Sequence, residues 1–281
     1  MGDWFNAVGA VSSVDINDRG FQYADGLFET IAVRDGTLRL WPMHIERLQT
    51  GCRRLGFEPP DTDVISELAM TSIGSAGFEL KDALLKIIIT RGFGARGYLA
   101  PEAPEPSLYV GLFDRTLWPE DHYRKGVTLR ICNSRLATQP QTAGIKLLSR
   151  TDQILARGEW RDPDIAEGLM RDQHGAVVCG TMSNLFLVAG QRLLTPEIAN
   201  CGVSGVMRRH ILALADANRI EASVQEISTD MLKTSDEIFI CNSQIGIWPV
   251  SRIGTTELRE WPLTESLMNL LADSGVDEGP A

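Results

Sequence analysis

Apolar residues in the first third of the chain come in short runs separated by turn-forming residues. Runs at 27–33 and 37–41 flank Arg34-Asp35-Gly36. Asp-Gly between two such runs is a strong hairpin signal, so a β-hairpin is expected early. Over 43–55, Ile45, Leu48, Cys52 and Leu55 recur at spacings of three and four, which predicts a helix with one apolar face. A second helix is expected over 61–75, capped by Asp61 or Thr62. Two strands of the buried type follow at 83–90 and 107–113. The Gly- and Pro-rich loop between them, 91–106, has a length that is usually functional or mobile. Charges and Trp118-Pro119 mark 114–123 as an interdomain linker. Beyond it the pattern predicts a strand at 127–131, a helix at 151–160, a hairpin over 168–178 turning at 172–175, and a second hairpin, 184–188 with 192–194, about Ala189-Gly190. A helix over 204–218, strands at 222–227, 237–241 and near 245–250, and a helix at 263–272 complete the chain. The polar stretch 273–281 is expected to fray. The reading is a mixed α and β protein with an N-terminal domain over 1–115 and a C-terminal one over 122–281.

With 281 residues, 43 % of them apolar and 23 % charged, the chain can bury two ordinary cores. Its net charge of −10 argues against a nucleic-acid or membrane-surface binder, either of which needs a concentrated basic face. A small anionic substrate stays open, because only the field inside a pocket matters. No apolar run approaches the roughly 20 residues that span a bilayer, and Met1-Gly2-Asp3-Trp4 lacks the basic then apolar pattern of a signal peptide. Five scattered cysteines without a CxxC pair suggest neither a disulfide framework nor a zinc ribbon, and fit a reducing cytoplasm. Four histidines without an HExxH motif give no reason to expect a metal.

Lys146 has small residues before it and Leu147-Leu148 after it, so partial desolvation could lower its pKa toward nucleophilic chemistry. A surface lysine with a packed stem has the same pattern. Gly202-Val203-Ser204-Gly205-Val206-Met207 runs a glycine-rich turn into a helix start, whose amides and dipole suit a phosphate; capping by Ser204 explains it equally well. Cys179-Gly180-Thr181-Met182-Ser183 is either a polar site or turn chemistry. Arg47 lies among core positions of its helix, reaching an anion or solvent. The loop from Arg91 to Tyr98 carries Arg91, Arg96 and a phenol among three glycines, a set suited to planar capture of a carboxylate.

In this order the pieces resemble the fold-type IV pyridoxal-phosphate (PLP) enzymes, the group of branched-chain aminotransferases, D-amino-acid aminotransferases and aminodeoxychorismate lyases. The block from Asp18 to Thr30, including Phe28-Glu29, looks like the family's N-terminal motif, and 44–48 like its phosphate-arginine helix. Lys146, Asn184-Leu185-Phe186, Gly205-Val206-Met207-Arg208 and Cys241-Asn242-Ser243 follow in family order. Arg96-Gly97-Tyr98 and Lys146-Leu-Leu-Ser-Arg150 look like the lyase branch. The resemblance implies a small N-terminal α+β domain, a larger C-terminal α/β pseudo-barrel, and a cytoplasmic homodimer with the cofactor held between the domains. It implies Lys146 as Schiff-base lysine and a phosphate held by Arg47, the amides of Val206 and Met207, and Asn242 or Ser243. Substrate would meet Arg96 and Tyr98, with Arg91 in reserve and Phe28 alongside. The implied reaction is conversion of 4-amino-4-deoxychorismate to 4-aminobenzoate and pyruvate, a step of folate biosynthesis.

Two positions depart from the family. Where it keeps a glutamate against the cofactor's pyridine nitrogen, this chain has Cys179, and where aminotransferases place a tyrosine five residues after the lysine it has Thr151. A thiol cannot hold a pyridinium proton as a carboxylate does, so the electron sink should be weaker. Both changes count against efficient transamination. An aminotransferase, a phosphate-ligand binder without chemistry, and a hydrolase with Cys179 as nucleophile are the alternatives.

Overall fold

The computed structural model describes residues 3–75, 82–276 and 279. They fall into two compact units, Met1–Thr116 with Ile145–Ser149, and Leu117–Gly144 with Arg150–Ala281. The short segment Ile145–Ser149 lies within the C-terminal span read from sequence, yet it packs with the first unit.

The first unit is built on a sheet of six strands among the described residues: β1 (Asp3–Asn6), β2 (Gly9–Val11), β3 (Gly26–Arg34), β4 (Thr37–Leu38), β5 (Ala83–Thr90) and β6 (Ser107–Asp114). Their order is β2-β1-β6-β5-β3-β4 and every pairing is antiparallel. The Asp-Gly turn forms as expected: Asp35 and Gly36 have φ of 48° and 70°, the left-handed pair that a two-residue hairpin demands. Helices α2 (Trp41–Arg54) and α3 (Thr62–Ser75) supply the facing layer. Ile45, Leu48 and Cys52 of α2 join Leu27, Ile31, Leu85, Ile87 and Ile89 in one apolar core, which also takes in Ile145. Asp61 accepts from the Asp63 amide at 2.8 Å, which opens α3 as its sequence suggests. The strands β1 and β2 and the five-residue helix α1 (Arg19–Tyr23) were not expected. Elements this short show no hydrophobic period.

The second unit contains a nine-stranded mixed sheet among the described residues. Its strands are β7 (Val127–Arg135), β8 (Ile165–Arg171), β9 (Val177–Gly180), β10 (Asn184–Ala189), β11 (Arg192–Pro196), β12 (Ala222–Gln225), β13 (Glu237–Asn242), β14 (Gly246–Ile253) and β15 (Thr256–Glu257). The order is β12-β11-β10-β13-β14-β7-β8-β9, with β15 paired to β14. The two ends approach each other: the Val177 amide of β9 donates to the Ile227 carbonyl, just past β12, at 2.8 Å. That contact curls the sheet into the pseudo-barrel that the resemblance implies. Helices α4 (Asp121–Arg124), α5 (Thr151–Arg157), α6 (Val206–Ala217), α7 (Thr229–Thr234) and α8 (Pro262–Asp273) accompany it. The linker stretch 114–123 thus runs into α4, which ends at Arg124, and α8 runs one residue beyond 272. Residues 277, 278, 280 and 281 of the stretch expected to fray lie outside the described residues. No helix among the described residues is long and apolar enough to cross a membrane.

Candidate active site

Lys146 is tied to the first unit through its backbone. Its carbonyl accepts from the Phe28 amide at 3.0 Å, and the Leu148 amide donates to the Gly26 carbonyl at the same distance, so the segment runs as an extra edge beside β3. Ile145 on one side is buried in the core and Leu147 on the other packs against it. The Lys146 Nζ stands 4.3 Å from the centroid of the Phe28 ring, an apolar and electron-rich neighbour. The residue is half-buried, with its backbone tied to β3 and its amine against an aromatic ring, unlike a surface lysine on a free stem. Lys86, from β5, approaches the same ring at 5.4 Å, and burial lowers its pKa.

Next to this lysine lies a buried ionic group. Glu29, within the apolar run of β3, receives the Nε of Arg47 at 2.7 Å and a second guanidinium nitrogen on its other oxygen, and bonds His44 Nδ1 at 2.7 Å. Burial alone would raise the Glu29 pKa; Arg47 and His44 outweigh it and pull it to about 2. The His44 pKa is lowered by burial, with the charges of Arg47 and Lys146 adding to that and Glu29 opposing it. Arg47 does find the anion that its core-facing position requires, and that anion is Glu29. The sequence reading had looked for a phosphate and missed the glutamate, although a lone acid inside an apolar strand is a visible signal.

The loop candidates separate. Arg91 is buried and donates through all three nitrogens to the protein: Nε to Asp25 at 2.8 Å, the others to the carbonyls of Leu55 and Gly56 at 2.7 and 3.3 Å. Its guanidinium also covers the Phe57 ring. This corrects its placement as a reserve substrate ligand, since its donors are committed to joining the loop to the end of α2. Arg96 is exposed, and Tyr98 is 88 % exposed. The loop is pinned at its base: Gly92 has φ of 80°, and a Cβ there would lie 1.8 Å from the Glu105 carbonyl oxygen, so only glycine fits.

In the second unit, the N-cap of α6 is Gly205, which has no side chain to cap the helix. A Cβ on Gly205 would fall 1.9 Å from Asn184 Oδ1, while the Asn184 amide holds the Val203 carbonyl at 3.0 Å. The loop is thus shaped around a helix start that has glycine as its N-cap and no acid in its first turn, which suits an anion on the amides of Val206 and Met207. Asn242 serves the turn after β13. Its Oδ1 accepts from the amides of Gln244 and Ile245 at 2.8 and 3.0 Å, and its Nδ2 donates to the Met182 carbonyl at 3.2 Å. These bonds fix the Asn242 side chain, which keeps a second Nδ2 N–H beyond the one given to Met182.

Cys179 is buried on β9, and desolvation, with Cys201 and Glu167 nearby, pushes its thiol up to about 12 against the opposing pull of Arg150. It stays protonated at neutral pH, which disposes of a Cys179 nucleophile. Glu167, on β8, is a further buried acid that sequence reasoning passed over. It accepts from the Thr181 hydroxyl at 2.6 Å, the Ser183 hydroxyl at 2.9 Å and the amides of Met182 and Gly168 at 3.0 and 2.8 Å. All five cysteines are buried free thiols. Among the described residues no cluster of His, Cys, Asp and Glu is placed to hold a metal.

Residues 26–253 match the amino-transferase class IV family. The chain is 34 % identical to an aminodeoxychorismate lyase of Vibrio harveyi over 90 % of its own length and 92 % of the relative's. It is 24 % identical to a D-alanine aminotransferase of Bacillus licheniformis, over 95 % and 93 % of the two chains. The crystal structure of 4-amino-4-deoxychorismate lyase from Pseudomonas aeruginosa superposes with a TM-score of 0.91 at 41 % identity, covering 96 % of this chain and 98 % of that one. With a hydrogen-bonded lysine beside β3, a glycine N-cap at α6, and a family match across both units, the chain belongs to the class IV aminotransferase family.

Proposed function

We propose that the protein is a PLP-dependent lyase that converts 4-amino-4-deoxychorismate to 4-aminobenzoate and pyruvate, with Lys146 as its reactive amine. The observation that carries this reading is full-length similarity to two lyases of that name, at 34 % and 41 % identity. The residues present fit the cofactor: a half-buried lysine against the Phe28 ring, and a helix start with glycine as its N-cap. Val206 and Met207, with Asn242 or Ser243, would hold the phosphate, and Arg47 would add its charge from the Glu29 pair. When bound, PLP supplies an electron sink for the carbon that carries the substrate amine.

The chain's own residues do the rest. Lys146, tied to β3 through its backbone, takes the proton from the amine-bearing ring carbon through Nζ. The neighbouring C–O bond then breaks, its electron pair leaves on the enolpyruvyl oxygen, and the ring becomes aromatic. Lys146 returns the proton to the departing group, which completes pyruvate. Aromatisation drives the step, so a neutral thiol at Cys179 is tolerated where transamination would need an acid. Arg96 and Tyr98 bind a substrate carboxylate. Purified protein supplied with PLP and 4-amino-4-deoxychorismate should release pyruvate and 4-aminobenzoate in equal amounts, and Lys146→Ala should abolish this. Absence of pyruvate, together with a 2-oxoglutarate-dependent half-reaction on amino acids, would make it an aminotransferase.

A further inference from the structure

The loop that carries Arg96 and Tyr98 is held by its backbone rather than by those side chains. Arg19, the first residue of α1, is buried. Its Nε is fixed on Asp25 at 2.8 Å, the same carboxylate oxygen that anchors Arg91. The remaining nitrogens turn outward onto three successive carbonyls: Gly97 at 3.0 Å and Leu99 at 3.4 Å from one, Tyr98 at 3.2 Å from the other. Tyr23, one turn further along α1, receives the Gly97 amide on its hydroxyl at 3.4 Å. Its ring lies under the Arg19 guanidinium at 5.1 Å and edge-on to Tyr98 at 5.6 Å. Gly94 closes over the Arg19 stem, where a Cβ would come within 2.9 Å of Cδ.

We propose that Arg19 is a positioning residue for substrate binding: by gripping the carbonyls of 97–99 it fixes the backbone that aims Arg96 and Tyr98 at the substrate carboxylate. Three consecutive carbonyls on one planar fork define a backbone path that a single bond cannot. Asp25 makes the grip possible, since it balances two buried guanidinium groups and holds the fork's orientation. A lysine in place of Arg19 keeps the charge opposite Asp25 but offers one point donor, which cannot span the same carbonyls. The inference rests on the reading that Arg96 and Tyr98 meet substrate, whereas the grip itself does not.

Arg19→Lys and Gly94→Ala test it from two sides, the first removing the fork and the second displacing its stem from an exposed loop. Each PLP-loaded variant is compared with the wild type in two assays. The first is the rate of tryptic cleavage at Arg96-Gly97 under native conditions, which needs no substrate. The second is pyruvate release from 4-amino-4-deoxychorismate. Both variants should be cut several-fold faster with little change in thermal midpoint. KM should rise about tenfold to a hundredfold, as expected for a misplaced binding group, with a much smaller fall in kcat. Cleavage unchanged in both variants would overturn the grip, whatever the enzyme's substrate. Faster cleavage with an unchanged KM would overturn the link to substrate. Failure of the wild type itself to release pyruvate would instead overturn the proposed function, and the cleavage assay would still decide the grip.

Discussion

Two buried glutamates, one in each unit, are stabilised in opposite ways. Glu29 sits on β3 against a buried cation, Arg47, and the ring of His44. Glu167 sits on β8 against neutral ones, two hydroxyls and two amides. Each is about 1 % exposed, so each would be costly to bury alone. The first arrangement links charge state to geometry beside Lys146 and responds to pH. The second ties the turn 181–183 to its neighbouring strand without adding charge. One acid lies in the unit that carries Lys146, the other ties down the turn that leads to Asn184.

Removing a partner should separate the two most sharply. Arg47→Ala leaves Glu29 as an uncompensated buried charge, and should cost about 3 to 5 kcal/mol in denaturant unfolding of the cofactor-free protein. A change within ±0.5 kcal/mol would mean that the pair adds nothing.

Acid should have nearly as large an effect on the first unit. The Glu29 pKa is lowered from 4.5 to about 2, so the stability it contributes is complete above pH 4.5 and is lost as pH falls through about 2. At about 1.4 kcal/mol per pH unit this is worth about 3 kcal/mol. His44 is also lowered, from 6.5. Its unfolded form therefore takes up a proton first, and stability should begin to fall once pH drops below 6.5. Unfolding curves of wild type and Glu29→Gln between pH 7 and 3 should converge toward acid, and parallel curves would contradict the ionic account.

Glu167→Gln should cost less, about 1 to 3 kcal/mol, because one carboxylate oxygen becomes an NH2 group facing a donor. The smallest effect concerns Cys179: with its thiol near 12 and buried, it should resist aromatic disulfide reagents for hours in the native protein, and rapid labelling would restore it as a reactive group.

Much of this was legible in the sequence because it lives in local pattern. Strand β5 at Ala83–Thr90 and the Asp35-Gly36 hairpin follow from a short apolar run and from turn chemistry. The lysine and the helix start at Gly205 came from ordered motifs. What stayed hidden depends on contacts distant along the chain. The partner of Arg47 is 18 residues away across the core. Arg91 and Arg96 look equivalent in a glycine-rich loop, and only packing against Leu55 and Gly56 makes the first structural and leaves the second exposed. The role of Asn242 in the turn that follows it, where Oδ1 accepts from two amides, is likewise set by the folded backbone.

The central claim is that Lys146, and no other of the five lysines, carries the cofactor. Lys86 is the natural rival, since it approaches the same Phe28 ring. Reduction of the PLP-loaded protein with borohydride, followed by peptide mapping, separates them. The account expects a pyridoxyl label on the peptide containing Lys146 alone. A label on Lys86 or any other lysine, or none on protein supplied with the cofactor, would contradict it.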